Sequence, residues 1–105
     1  MLSTDAAERK RTPIYSGVIA YFPLVWAAVA EVSWKGNEQH NSGEPLHWSR
    51  DKSADHLDSA IRHVVDHATN PVDVDNTYHL AKAIWRLSAE LQIILERADG
   101  SSDES

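Results

Sequence analysis

The chain has no cysteine, so neither a disulfide framework nor a thiolate zinc site is open to it. It is also short of positive charge. Ten Lys and Arg face sixteen Asp and Glu, for a formal net charge of -6, which argues against a nucleic-acid binder and its basic face. Long apolar runs are missing too: the stretch from Gly17 to Ala30 is too short to span a bilayer. No segment alternates polar and apolar residues well enough for a sheet strand, and no internal repeat is visible. One warning stands beside these absences. Arg9, Lys10 and Arg11 precede that apolar run and an A-x-A-like stretch, the layout of a secretory signal. Its removal would leave two helices with little to pack against, so a cytoplasmic protein with no membrane partner is the expectation.

What remains is a chain of 105 residues, 42% apolar with four Trp, enough for one compact domain. Pro23 suits the first turn of a helix running to about Lys35, with Gly36 and Asn37 as its stop. The turn-rich loop GNEQHNSGEPLHWSRDK follows and carries Leu46 and Trp48. Ser53 is placed to cap a second helix with Asp55 in its first turn; Leu57, Ile61, Val64 and Ala68 form its expected buried seam. After the break TNPVDVDN, Thr77 opens a last helix to about Ala98, striped by Leu80, Ile84, Leu87, Leu91 and Ile94. The expected architecture is an all-α bundle of three main helices plus a short helix near Tyr15 to Tyr21. Residues 1–13 form a flexible lead, 14–98 the domain, and 99–105 an acidic tail. Apolar stripes this long predict completion of the core by oligomerisation.

The chemistry-bearing residues gather in three places. Glu31 stands in PLVWAAVAEVSW, apolar on nearly every side and therefore expected to be buried. A buried carboxylate there calls for an Arg or His partner or a metal ion. Glu38, seven residues on, lies about 20° away around the axis if the helix continues. The second helix carries Asp55, Asp58, Arg62 and Asp66 on one polar stripe, either a solvated face or a cluster whose mutual repulsion a divalent cation would relieve. HVVDH, residues 63–67, echoes an inverted zinc-peptidase motif with Asp in place of Glu, and no third ligand is evident. On the last helix His79, Lys82 and Arg86 share a face, placed for salt bridges to Asp66 or Asp58, or for phosphates.

Taken together, RTPIYSGVIAYFP, AEVSWKGNEQHNSGEPLHWSRDKSADHLDSAIRHVVD and HLAKAIWRLSAELQ resemble the phage dATP/dGTP diphosphohydrolase N-terminal family, relatives of the MazG-like nucleotide pyrophosphohydrolases. The resemblance covers residues 9–96; GNEQHN followed by LHW and RH is its most specific part. It implies a MazG-like helical bundle working as a homodimer or homotetramer, and Mg²⁺-dependent cleavage, with Mn²⁺ able to substitute, of a purine deoxynucleoside triphosphate to monophosphate and pyrophosphate. It also implies dGTP, or dATP, as substrate, and dGMP supplied for 2-aminoadenine synthesis in a phage-infected host cell. Such enzymes draw acids from an E-x-x-E and an E-x-x-D pattern. Asp55 and Asp58 match the second with Asp for Glu. Glu31 matches one acid of the first, but Ala28 and Trp34 stand where its partner belongs, leaving Glu38 to take that role.

The expected metal ligands and catalytic acids are thus Glu31, Glu38, Asp55 and Asp58. Lys35, Lys52, Arg62, His79 and Lys82 are the phosphate-side residues. Trp48 either stacks on the base or belongs to the core, and Gln39, His40 and Asn41 read the base edge. Metal-held phosphates and an in-line water attack on the α-phosphorus complete the expected mechanism. Two other classes stay open: a non-catalytic nucleotide-binding or regulatory helical protein, and a structural protein whose acids are only a soluble surface.

Overall fold

The computed structural model describes residues 2–100. The chain is all-α, with no strand among the described residues. Four helices follow in order: α1 (Ala6–Lys10), α2 (Pro23–His40), α3 (His56–Thr69) and α4 (His79–Ala98). A π-helical turn at Tyr15–Ile19 and a 3₁₀ turn at Arg50–Lys52 lie between them. α1 falls inside the segment expected to be flexible. The Asp5 carboxylate accepts from the Glu8 N–H at 2.9 Å, and Arg9 and Lys10 sit in the last turn, where the helix dipole favours cations. Of the expected acidic tail, residues 101–105 lie outside the described residues.

α2 begins at Pro23 as expected but passes through Gly36 and ends one turn later, at His40. The turn out of the helix comes at Gly43, with φ 84°. Asn37 is therefore an interior helical residue rather than a stop, and its buried side chain organises the next loop. At the other end, Ala6–Ile19 and Pro23–His40 meet at 85°. Among the described residues no single helix is long and apolar enough to cross a membrane.

α4 is the central helix: α3 lies along it over the longest stretch and α2 beside it. The faces that meet are not the ones the hydrophobic pattern indicates. On α3 the buried residues are His56, Ser59 and Ala60, with His63 and His67 half-buried on the same stripe. The expected seam is turned outward, Leu57 being 53% and Ile61 59% exposed. Leu80, Leu87, Leu91 and Ile94 of α4 are likewise exposed. Helical spacing states which residues share a face but not which face turns inward. Here a small, polar stripe lets α3 approach α4 closely, and His56 and His63 find partners there in Arg86 and His79. The apolar residues buried within the chain are Val29, Ala60, Ala81, Ala83 and Ala89, and the largest completely enclosed side chains are only Thr77 and Ser59.

Between α3 and α4, residues 70–78 make a tight connection. Val72 pairs with Tyr78 in an isolated bridge, Asp73 N–H donates to the Thr77 carbonyl at 2.9 Å, and Asn76 takes the left-handed conformation at φ 66°, which Asn tolerates better than most residues. This turn brings Asp73 and Asp75 against the start of α4.

Candidate functional site

The C-terminal half of α2, the loop 41–53 and the inner face of α4, with His56 and His63 of α3 and Asp75 and Thr77 of the connection, line an open cavity of about 890 Å³. Asn37 builds its mouth. Its amide donates to the Glu44 carbonyl at 3.0 Å, and its Oδ1 accepts from Asn41 Nδ2 at 3.2 Å and from the His47 N–H at 3.4 Å. His47 Nδ1–H donates to the Pro45 carbonyl at 3.0 Å, which leaves Nε2 to accept from Ser49 Oγ at 3.3 Å. Further along, Arg50 grips Glu96 of α4 through two hydrogen bonds of 2.7 and 3.0 Å. The guanidinium holds the Glu96 carboxyl down at about 2. The loop is thus tied to α2 at one end and to α4 at the other.

The lining carries a charge opposite to that of the chain. Lys35, Arg50, Lys52, Lys82 and Arg86 contribute to it, against Asp75 as the one carboxylate. Four of these cations are steadied by ion pairs: Lys35 with Glu31, Arg50 with Glu96, Lys82 with Asp73 and Asp75, Arg86 with Asp55. Each retains further N–H donors, since an ammonium has three and a guanidinium five.

His56 supplies the most informative single atom. It is 3% exposed and lines the cavity. Arg86 Nη1 stands 3.2 Å from its Nδ1; a guanidinium only donates, so Nδ1 holds the lone pair and Nε2 carries the proton. That buried Nε2–H has no partner among the described residues. A buried donor left unsatisfied costs about 1–3 kcal/mol. The atom itself has almost no accessible surface, so a ligand acceptor recovers that cost only where the ring or its cover shifts toward the cavity.

Of the residues expected to touch substrate, Lys35, Gln39, His40, Asn41, Trp48, Lys52 and Lys82 line this cavity, and Arg62 and His79 do not. Arg62 lies near Ser59 Oγ at 3.4 Å, and His79 sits behind the wall. Trp48 is fixed rather than free: Arg50 Cζ lies 4.2 Å from its ring centroid and Trp85 meets it edge-on at 6.0 Å. Trp85 is itself tied to α2, donating to Ser33 Oγ at 2.7 Å.

The expected acids are placed elsewhere. Glu31 is not buried; its side chain is 53% exposed and pairs with Lys35 at 3.4 Å. α2 touches the rest of the chain along one side, burying only Val29 and Asn37, so an apolar surround in sequence is not one in space. Glu38 and Asp58 are exposed. Asp55 accepts from Ser53 Oγ at 2.6 Å, which with its own backbone N–H lowers its carboxyl. None of the four lines the cavity. Lys82 and Arg86 find their acids in Asp73, Asp75 and Asp55 rather than in Asp58 or Asp66.

Among the described residues, the group of His and acid side chains whose ligand atoms converge is His63, Asp73 and His79. His63 and His79 face each other Nδ1 to Nδ1 at 3.0 Å, with ring centroids 5.2 Å apart. Asp73 Oδ2 lies 3.8 Å from His79 Nδ1 and accepts from Lys82 Nζ at 2.7 Å. Partial burial, then the nearby Lys82, His79 and Arg62, hold the His63 imidazole below its ordinary range. Lys82, chiefly through its hydrogen bond, lowers the Asp73 carboxyl. Sequence spacing paired His63 with His67, one turn on; the connection 70–78 instead delivers His79.

Compared with known proteins, the chain matches no family model, no curated protein and no solved structure.

Proposed function

We propose that the chain binds a purine deoxynucleoside triphosphate in the cavity between α2, α4 and the loop 41–53, and hydrolyses it to the monophosphate and pyrophosphate. The observation that carries the binding step is the lining: five cations and an unpartnered buried His56 N–H, in a chain whose net charge is -6. An anion with several acceptor oxygens answers both features. The volume of about 890 Å³ is within the range of cofactor-sized sites. Lys52, Lys82 and Arg86 take the phosphates, His56 Nε2–H donates to one of their oxygens, and Gln39, His40 and Asn41 lie toward the base. The four acids expected to hold a metal lie outside the cavity, so Mg²⁺, or Mn²⁺ in its place, would be carried by the phosphates themselves, as Mg²⁺ commonly is. Cleavage at the α-phosphorus, the dGTP-to-dGMP direction and a place in 2-aminoadenine supply rest on the family resemblance of the sequence.

A homo-oligomer belongs to the same reading. Leu57, Ile61 and Val65 of α3 and Leu87, Leu91 and Leu95 of α4 are exposed, and a second copy of this chain covers them.

A second reading has an observation of its own. Glu31, Glu38, Asp55 and Asp58 stand on exposed faces of α2 and α3, outside the cavity, which favours nucleotide binding without turnover. Incubation with each common dNTP and rNTP, with Mg²⁺ or Mn²⁺, followed by separation of products, decides between them. Monophosphate and pyrophosphate support hydrolysis; saturable binding with no product supports the regulatory role. Orthophosphate as the first product from dGTP would sink the pyrophosphohydrolase assignment.

A further inference from the structure

His63, His79 and Asp73 each bring one potential ligand atom to within 4.8 Å of the others. In a carboxylate–imidazole–imidazole proton relay, the middle ring uses its two nitrogens in opposite directions. Here one nitrogen, His79 Nδ1, faces both neighbours, at 3.0 Å from His63 Nδ1 and 3.8 Å from Asp73 Oδ2. Two imidazole nitrogens and one carboxylate oxygen therefore lie around one point. If both rings carried their protons on Nε2, two lone pairs would oppose each other across 3.0 Å. One ring must donate from Nδ1, or a cation must stand between them.

We propose that His63, His79 and Asp73 form a binding site for a divalent first-row transition ion, separate from any Mg²⁺ that accompanies a nucleotide. With metal–nitrogen bonds of about 2.1 Å, nitrogens 3.0 Å apart subtend close to a right angle, the angle between neighbouring ligands of a six-coordinate ion. A small rotation of the Asp73 carboxylate brings its oxygen to the third position. Two imidazoles and one carboxylate on one face, with the remaining positions open, is a donor set that selects transition ions over Mg²⁺. His79 is buried and His63 half-buried, so the ligands are held by packing, and His63 also lines the cavity.

Lys82 completes the arrangement. Its ammonium binds the same Asp73 oxygen at 2.7 Å and lies 2.9 Å from an Asp75 oxygen. Asp75 gives it a partner to keep while Asp73 turns to the ion. The ammonium is then a competitor for Asp73, and its removal strengthens the site. The proposal does not depend on the nucleotide reading.

The test uses the whole chain, stripped with a chelator, without nucleotide. Cobalt(II) chloride is titrated while visible absorption and heat are followed. One ion per chain is expected. His63→Gln and Asp73→Asn should each weaken binding by about 100-fold or more, above the ~10–100-fold typical of an outer-shell partner, with circular dichroism unchanged. Lys82→Met should tighten binding several-fold. On the unaltered chain, the imidazole NMR signals of His63 and His79 should shift most among the six histidines, which needs no variant to fold. Equal affinity in His63→Gln, weaker binding in Lys82→Met, displacement by millimolar Mg²⁺, or shifts centred on other histidines would each overturn the site.

Discussion

His56 and Glu31 show how differently two polar side chains read once their surroundings are known. Nothing in the spacing of the sequence marks His56, yet its tautomer follows from one neighbour: Arg86 donates to Nδ1, so Nε2 carries the proton and is left without a partner among the described residues. A hydrogen bond to a charged acceptor contributes about 1.5–3 kcal/mol, so His56→Ala should weaken triphosphate binding by at least ~10-fold in calorimetry with Mg²⁺. Unchanged affinity would remove His56 from the ligand contacts. Glu31 drew the most attention and is the plainer residue. Its pair with Lys35 lies at the surface, where such pairs contribute about 0–1 kcal/mol. Glu31→Gln should therefore leave the melting temperature nearly unmoved and nucleotide binding intact. A large loss of either would mean that Glu31 has a partner beyond Lys35.

At the scale of elements, the loop 41–53 is the part that turns a helix pair into a cavity. Asn37 holds one end by three hydrogen bonds from a buried position. Removing it leaves the Glu44 carbonyl and two donors to find other partners, so Asn37→Ala should cost about 1–3 kcal/mol in urea unfolding. The other end answers to acid. Glu96 titrates at about 2 rather than 4.5 because Arg50 holds it ionised. A carboxyl lowered by folding stabilises the fold fully above its unfolded value, and that contribution fades as pH falls from about 4.5 to 2. Tryptophan fluorescence of Trp48, which rests against Arg50, should change over that window, and Glu96→Gln should flatten the change. Glu96→Gln with an unaltered acid profile would place the transition elsewhere. The helix limits were partly legible: Pro23 and the end near Ala98 stand where turn chemistry put them. α3 and α4, however, are capped at Asp55 and Tyr78 rather than at the expected Ser53 and Thr77, because the chain stays extended for one or two residues more. The role of Asn37 was not legible, because Gly-Asn after an apolar run is ordinarily a stop. The helix in fact continues to His40 and is capped at Asn41, whose N–H returns to the Asn37 carbonyl.

The whole molecule carries the largest departure from its hydrophobic pattern. The period of α3 was legible and its orientation was not. Leu57, Ile61 and Val64 make the better apolar stripe, yet His56, Ser59, Ala60 and His63 face α4. A single sequence gives no sign of which neighbour a stripe meets, and a stripe meant for a second copy reads like one meant for the chain's own core. The His63–Asp73–His79 cluster was hidden for a related reason, since its members lie on two helices and the connection between them. The outward stripes predict a dimer or tetramer by sedimentation at micromolar concentration. Leu91→Glu, which places charge on the exposed face of α4, should shift the mass toward a single chain. A monomeric mass for the unaltered chain would refute the assembly.

The poverty of the interior, where among the described residues nothing larger than Thr77 is completely enclosed, bears on how the chain behaves when it is scarce. In the proposed assembly the chain would draw much of its apolar burial from a neighbour and obey mass action, so dilution would act on it as a denaturant does. Its melting temperature should climb with concentration, and newly made copies at low abundance should spend their first moments poorly protected from proteases until they meet one another.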